Sequence, residues 1–300
     1  MSQRSRILAV TVAVVTSASL ALAGCSSSKS KTTSGGGGTT SASSSTSAGS
    51  AAAALVPAAI KSKGTLTFAM DATYPPDESI AADGHTIEGW DVDFGKALAA
   101  ELGLKANFVN VTFKDIIPRL QSGQYDVGLS SFTDSKEREK LVDFVTYFQA
   151  GEGFYVNASS TKSYNGLSAL CGTKVSVENG TTELDDANAQ AKKCHVTVLA
   201  FADQNQANLA VSSGRADLGF ADSQVAGYIV KQSNGQFKVT GSAFAVAPYG
   251  IALPKGNGMA AAVLAAVKAL IANGTYSQIL SKWGVQDGAI TTPVINGAQS

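Results

Sequence analysis

Histidine and cysteine are scarce here. His85 and His195 are the two histidines in 300 residues, and the three cysteines, Cys25, Cys171 and Cys194, are dispersed. No group with zinc-ligand spacing exists, so no metal site is expected. No Ser-His-Asp set is in view either, which argues against a hydrolase of that type. Net charge is also lacking. Lys plus Arg is 23 and Asp plus Glu is 23, so the basic excess of a nucleic-acid binder is missing and no nucleic-acid partner is expected. The longest apolar stretch, from Ile7 to Leu22, is diluted by Thr and Ser and is short for a membrane span of about 20 residues.

That stretch follows Arg4 and Arg6, and together they read as an export signal over 1–25. It ends in Leu22-Ala23-Gly24-Cys25, which resembles the bacterial lipobox. The resemblance implies that Cys25 becomes an acylated N-terminus. Two or three acyl chains anchor a protein stably, because each buried CH₂ contributes about 0.8 kcal/mol. Residues 26–60 are dominated by Ser, Thr, Gly and Ala and read as a flexible tether without a core, with a reach of roughly 30 Å. With Cys25 acylated, Cys171 and Cys194 remain. In an oxidising compartment they are expected as a disulfide, the alternative being two separate buried thiols.

From Gly64 onward short strands alternate with helices. Strands are expected at 65–70, 105–111 and 125–130. Helices are expected at 91–103, capped by Asp91, at 115–123, with Pro118 in its first turn, and from 135 to 144. A second unit repeats the rhythm, with strands at 173–177, 195–201 and 216–221 and helices at 182–193, 203–214 and 222–232. Extended segments at 151–158 and 243–253 flank it, and two helices follow. The fold class expected is α/β, mostly parallel sheets covered by helices, with ligands outside the carboxyl ends of the strands.

Those strand ends are rich in hydroxyl, acidic and aromatic residues. They include Asp71-Ala72-Thr73-Tyr74, Thr112-Phe113, Ser130-Ser131-Phe132-Thr133, Glu178-Asn179-Gly180-Thr181-Thr182 and Asp222. The stretches KGTLTFAMDATYPPDES, IEGWDVDFGKALAAELG, IPRLQSGQYDVGLSSFTDSKEREKLVDF, NGTT and PYGIAL occur in order from 63 to 253. As a set they resemble the family 3 solute-binding proteins that deliver polar amino acids to ABC importers. The resemblance covers about 61–288 and implies a two-lobed, type II periplasmic-binding-protein clamshell with a two-strand hinge. Lobe 1 would be 61–155 with 247–288, lobe 2 would be 156–246, and 289–300 would be a polar tail.

The resemblance and the chemistry agree on roles. Arg138 offers a planar fork to an α-carboxylate. Ser131, Thr133, Thr181 and Thr182 can donate to it as well, the last at a helix start that favours anions. Asp222 would neutralise the ammonium, or cap the helix it begins, or both. Ser130 would accept from the ammonium. Tyr74 and Phe113 would sandwich the side chain, and Asp71 would meet its distal end or the ammonium. Trp90 and Trp283 read as packing residues. Two departures from the family pattern, Asp77 for an aromatic and Glu178 for glutamine or leucine, add negative charge that a cationic side chain would complement, unless Asp77 faces solvent.

The expected function is therefore the extracytoplasmic binding component of an importer. It would be a monomer, lipid-anchored at the outer face of the cytoplasmic membrane, with permease and ATPase partners and no cofactor. Two other readings share the fold: a cyclohexadienyl dehydratase-like enzyme, and a sensory receptor, which usually continues into a membrane helix.

Overall fold

The computed structural model describes residues 48–299. The export signal, Cys25, the tether up to residue 47 and Ser300 lie outside the described residues.

In chain order the elements are α1 (Ala48–Ala54), α2 (Ala58–Lys63), β1 (Thr65–Met70), β2 (Thr73–Tyr74), β3 (Glu78–Ile80), β4 (Ile87–Glu88), α3 (Trp90–Glu101), β5 (Lys105–Asn110), α4 (Phe113–Gln121), β6 (Val127–Gly128), α5 (Lys136–Glu139) and β7 (Val142–Asn157). Then come β8 (Lys174–Glu178), α6 (Thr182–Ala191), β9 (Thr197–Phe201), α7 (Gln204–Ser212), β10 (Leu218–Asp222), α8 (Ser223–Gln232), β11 (Phe237–Pro254), α9 (Met259–Ala272) and α10 (Thr275–Trp283).

Eight strands share hydrogen bonds in the order β5-β1-β6-β11-β7-β10-β8-β9. At one end β1 runs parallel to β5 and β6. At the other, β8 runs parallel to β9 and β10. The two halves are joined by β7 and β11, an antiparallel pair of 16 and 18 residues. At about 3.3 Å per residue they are roughly 50–60 Å long, enough to serve both halves. Their register slips between Thr240 and Phe244, between Phe244 and Ala247, and between Tyr249 and Gly250. Such bulges bend and twist a ribbon, so the pair turns where it passes between halves. The type II clamshell with a two-strand hinge is therefore what the chain adopts.

Several expectations need correction. The helix expected over 135–144 stops after one turn, and Val142 opens β7. Val142, Phe144 and Val145 are fully buried, and their burial against β11 outweighs local helix preference. The helix expected at 115–123 begins two residues earlier, at Phe113, so Pro118 lies inside it rather than in its first turn. Asp91 does not cap α3. Gly89 occupies that position, and the buried Asp91 carboxylate accepts from Tyr147 Oη at 2.9 Å and Ser131 N at 3.3 Å.

Residues 48–60, expected as the last part of the tether, instead form α1 and enter α2. Alanine favours helix intrinsically, and Ala52 and Val56 bury against α9 and α3. On α9, Met259, Ala262, Val263, Ala266, Val267 and Leu270 are buried in this packing, while Ala261, Lys268 and Ala272 are exposed. The polar tail is docked as well. Val294 O accepts from Thr146 N at 2.9 Å, and Gly297 N donates to Asp134 at 2.7 Å. Cys171 and Cys194 are joined in a disulfide, with Cα atoms 5.6 Å apart.

Candidate functional site

The carboxyl ends of β1, β6, β8 and β10 converge on a narrow pocket between the two halves of the sheet. Its walls include Tyr74, Phe113, Ser131, Thr133 and Arg138 from one half. From the other come Thr181, Thr182, Glu183, Gln204 and Asp222.

Arg138 is placed by α5, whose N-cap Ser135 accepts from the Arg138 backbone N–H at 3.3 Å. Its Nη1 donates to Thr133 O and its Nη2 to Gly180 O, both at 2.8 Å. The guanidinium lies 5.4 Å from the Phe113 ring centroid and 5.5 Å from that of Phe132, a cation–π seat. Burial lowers its pKa, while the Glu183 and Asp222 carboxylates act to keep it charged.

Facing it is the start of α6. Thr181 caps this helix, its hydroxyl accepting from Leu184 N at 3.2 Å and donating to Glu178 O at 2.9 Å. The Thr182 hydroxyl lies 3.4 Å from that of Thr133 across the cleft. Two more contacts bridge the halves. Gln204 N donates to Thr73 Oγ1 at 3.2 Å, and Gln224 Nε2 donates to Asp77 Oδ2 at 3.1 Å. The clamshell is thus closed.

Asp222 ends β10 and precedes α8, yet its side chain makes no cap hydrogen bond. Burial and the nearby Glu183 carboxylate push it well above the usual carboxylate range. It lies on the wall that also carries the cleft's carboxylates, across from Arg138, with the Tyr249 hydroxyl as a hydrogen-bond partner. Three expected residues stand behind the walls. Ser130 is fully buried, donates to Glu78 at 2.6 Å and accepts from Asp71 N at 2.9 Å, so its hydroxyl is engaged within the protein. Asp71 accepts from Thr73 Oγ1 at 2.7 Å and from Phe113 N at 2.9 Å, which fixes the first turn of α4 and the Phe113 ring. Glu178 is 1% exposed with neither carboxylate oxygen hydrogen-bonded, beside the unpartnered Tyr74 hydroxyl. Burial, then the Asp71 carboxylate, pushes it up to about 10.

Asp77 does not face solvent. It is completely buried, accepting from Trp90 Nε1 and Ser131 Oγ, both at 2.6 Å, as well as from Gln224. Trp90 therefore does more than pack, and Trp283 likewise donates to Asp93 at 2.9 Å.

Glu183 and Gln204 escaped the sequence reading. Glu183 follows the Thr181-Thr182 pair directly, so extending the motif by one residue would have reached it. Gln204 follows the end of β9, the strand end left unread. Glu183 is 3% exposed with Oε1 unpartnered, and burial raises its pKa. The arrangement offers one cation and a helix N-terminus for an anion, with carboxylates opposite for a cation.

Known proteins resemble this chain in sequence and in fold. The chain is 32% identical over 249 residues to the arginine-binding protein ArgT of Corynebacterium glutamicum, covering 81% of each chain. It is 35% identical over 209 residues to the ABC transporter glutamine-binding protein GlnH of Bacillus subtilis, covering 68% of this chain and 75% of that one. Among solved structures it superimposes on an ancestral arginine-binding protein bound to glutamine, with a TM-score of 0.70, 37% identity, and 74% and 98% of the two chains covered. An ancestral amino acid-binding protein, precursor of cyclohexadienyl dehydratase, gives a TM-score of 0.68 at 34% identity, covering 75% and 97%. Residues 66–286 match the family model for bacterial extracellular solute-binding proteins, family 3, and the chain belongs to that family.

Proposed function

We propose that this chain is the solute-binding component of an ABC importer and takes up a free α-amino acid with a cationic side chain. The observation that carries the reading is the opposition of Arg138 to Asp222 across the closed cleft. Arg138 takes the α-carboxylate with Thr133 and the start of α6, while Ser131, whose hydroxyl and N–H donate to Asp77 and Asp91, lines the wall. Asp222 takes the ammonium, with Glu183 as a second acceptor. Tyr74 and Phe113 hold the side chain, and Asp71 and Glu178 supply negative charge at its end. Neither half pairs both charges of a zwitterion alone, so the ligand favours closure through contacts that only the closed form offers. Relatives named for arginine or glutamine binding support the class. The unpartnered Glu178 favours a cationic side chain over a neutral one.

The lobes are 61–155 with 247–288 and 156–246, hinged on β7 and β11. Cys25 carries the lipid anchor at the outer face of the cytoplasmic membrane, and the protein works as a monomer delivering solute to its permease and ATPase. An enzymatic reading has less support, because the relative that preceded a dehydratase is itself described as an amino acid-binding protein.

Calorimetry against the twenty amino acids, ornithine and citrulline tests the reading. Arginine, lysine or ornithine should bind more tightly than glutamate, with a smaller radius of gyration in solution when bound. Preference for glutamate overturns the cationic assignment. No compaction with any amino acid overturns the whole reading.

A further inference from the structure

A second cavity, wider than the first, opens beside it and shares Thr133, Thr182 and Asp222 as a common wall. Its floor is the hinge, at Ala150, Gly151 and 245–248, and Gln299 of the docked tail closes one side. Four carboxylates line it, those of Asp134, Glu152, Asp186 and Asp222, and among the described residues no Lys or Arg does.

Two of these acids are deeply buried with an oxygen left over. Glu152 is 6% exposed with Oε2 unpartnered, and Asp134 is 2% exposed with Oδ1 unpartnered. A buried acceptor without a donor is costly, and two in one cavity lined by no Lys or Arg among the described residues ask for a donor from outside. Burial first, then the facing Glu183 and Asp186 carboxylates, raises Glu152 to about 10. Among the described residues no three His, Cys, Asp or Glu side chains are grouped as a metal shell requires. The acids are spread along a wall, which suits an organic ammonium on a short arm.

Resting on the proposed amino-acid reading, we infer that the chain also accepts short peptides with a free amino terminus. The C-terminal residue fills the first cavity, and the N-terminal ammonium reaches Glu152 and Asp186 in the second. The peptide carboxylate meets Arg138 as a free amino acid would. The peptide N–H takes the ammonium's place toward Asp222. The preceding residue passes between Thr133 and Thr182, whose hydroxyl contact parts to admit it. An acylated amino acid of the same length lacks the ammonium and leaves the acids unpaired, so the site discriminates by a polar group.

Calorimetry on the wild-type protein with arginine, glycyl-arginine and N-acetyl-arginine decides the matter. If another free amino acid binds best, its glycyl and acetyl derivatives replace these. Glycyl-arginine should bind at least tenfold more tightly than N-acetyl-arginine. E152Q with D186N should remove that advantage while arginine affinity stays unchanged. Equal binding of the two derivatives, or binding of arginine alone, overturns the second site and leaves the amino-acid reading intact. Failure of every free amino acid overturns the reading beneath it instead. The wild-type comparison needs no variant, so a misfolded double mutant does not remove the test.

Discussion

Arg138 Nη2 donates to the carbonyl oxygen of Gly180 at 2.8 Å, from a residue 42 positions away in the chain and on the opposite wall of the cleft. Gly180 has φ +86°, and a Cβ there would sit 2.9 Å from Lys114 Cβ. A glycine is therefore required both for the left-handed backbone and for the close approach of the walls. The guanidinium proposed to meet the ligand carboxylate also helps hold the closed form.

Arg138→Ala should weaken amino-acid binding by about 2–5 kcal/mol, the usual cost of stripping one partner from a buried charge pair. Arg138→Lys keeps the charge but loses the planar fork, and should recover only part of that loss. Calorimetry on both variants checks this. An Arg138→Ala change below about 1 kcal/mol would reduce Arg138 to a surface charge.

Arginine should be preferred over glutamine more strongly as pH rises through neutrality. In the closed cleft burial, then the Asp71 carboxylate, pushes Glu178 up to about 10, so closure around a neutral side chain leaves it protonated at pH 7. A cation beside it favours the carboxylate and lowers that value, so the arginine complex carries fewer protons. The ratio of arginine to glutamine affinity should therefore rise from about pH 6 to 8, by up to tenfold per unit. Glu178→Gln should flatten the profile and narrow the preference for arginine over glutamine. Calorimetry in buffers of different ionisation enthalpy counts the proton directly.

Stability of the unliganded protein should move the other way. Burial raises Asp77 and Asp134 from 3.8 to about 6. Between about pH 4 and 6 the folded state keeps protons that the unfolded chain has lost, so stability falls as pH rises through that window. The melting temperature should be higher at pH 5 than at pH 7.5. Asp77→Asn should raise the value at pH 7.5 and shrink the difference. A flat profile in the unsubstituted protein would contradict the burial assigned to both groups.

Replacing Cys171 and Cys194 by serine should cost about 3 kcal/mol of stability, because the bridge closes a loop with a sequence separation of 23. The pair is absent from the cavity wall, so amino-acid affinity should stay within about twofold. Denaturant melts with and without reductant measure the first effect, and ligand titration measures the second.

Deleting residues 290–300 should lower the melting temperature, because it removes the donor from Gly297 to Asp134 and the Val294 pairing with Thr146. The buried Asp134 carboxylate then loses a hydrogen bond, a change of about 1–3 kcal/mol. An unchanged melt would show the tail to be dispensable.

The sequence by itself determined the alternation of strands and helices, the positions of strand ends and the residue types placed there. Those features rest on local periodicity and turn chemistry, which act over a few residues, while the roles expected of Ser131, Thr133, Arg138, Thr182 and Asp222 came from the family resemblance joined to the chemistry of those strand ends. Only the tertiary structure decided how far each element runs and which acids go unpaired. Residues 142–157 became one long strand because β11, about a hundred residues later, pairs with them. Asp77 turned inward because Trp90, Ser131 and Gln224 supply three donors from separate segments. Glu152 and Asp134 carry no mark in the chain at all. Their isolation depends on what surrounds a carboxylate in space, and burial is a property of the folded whole.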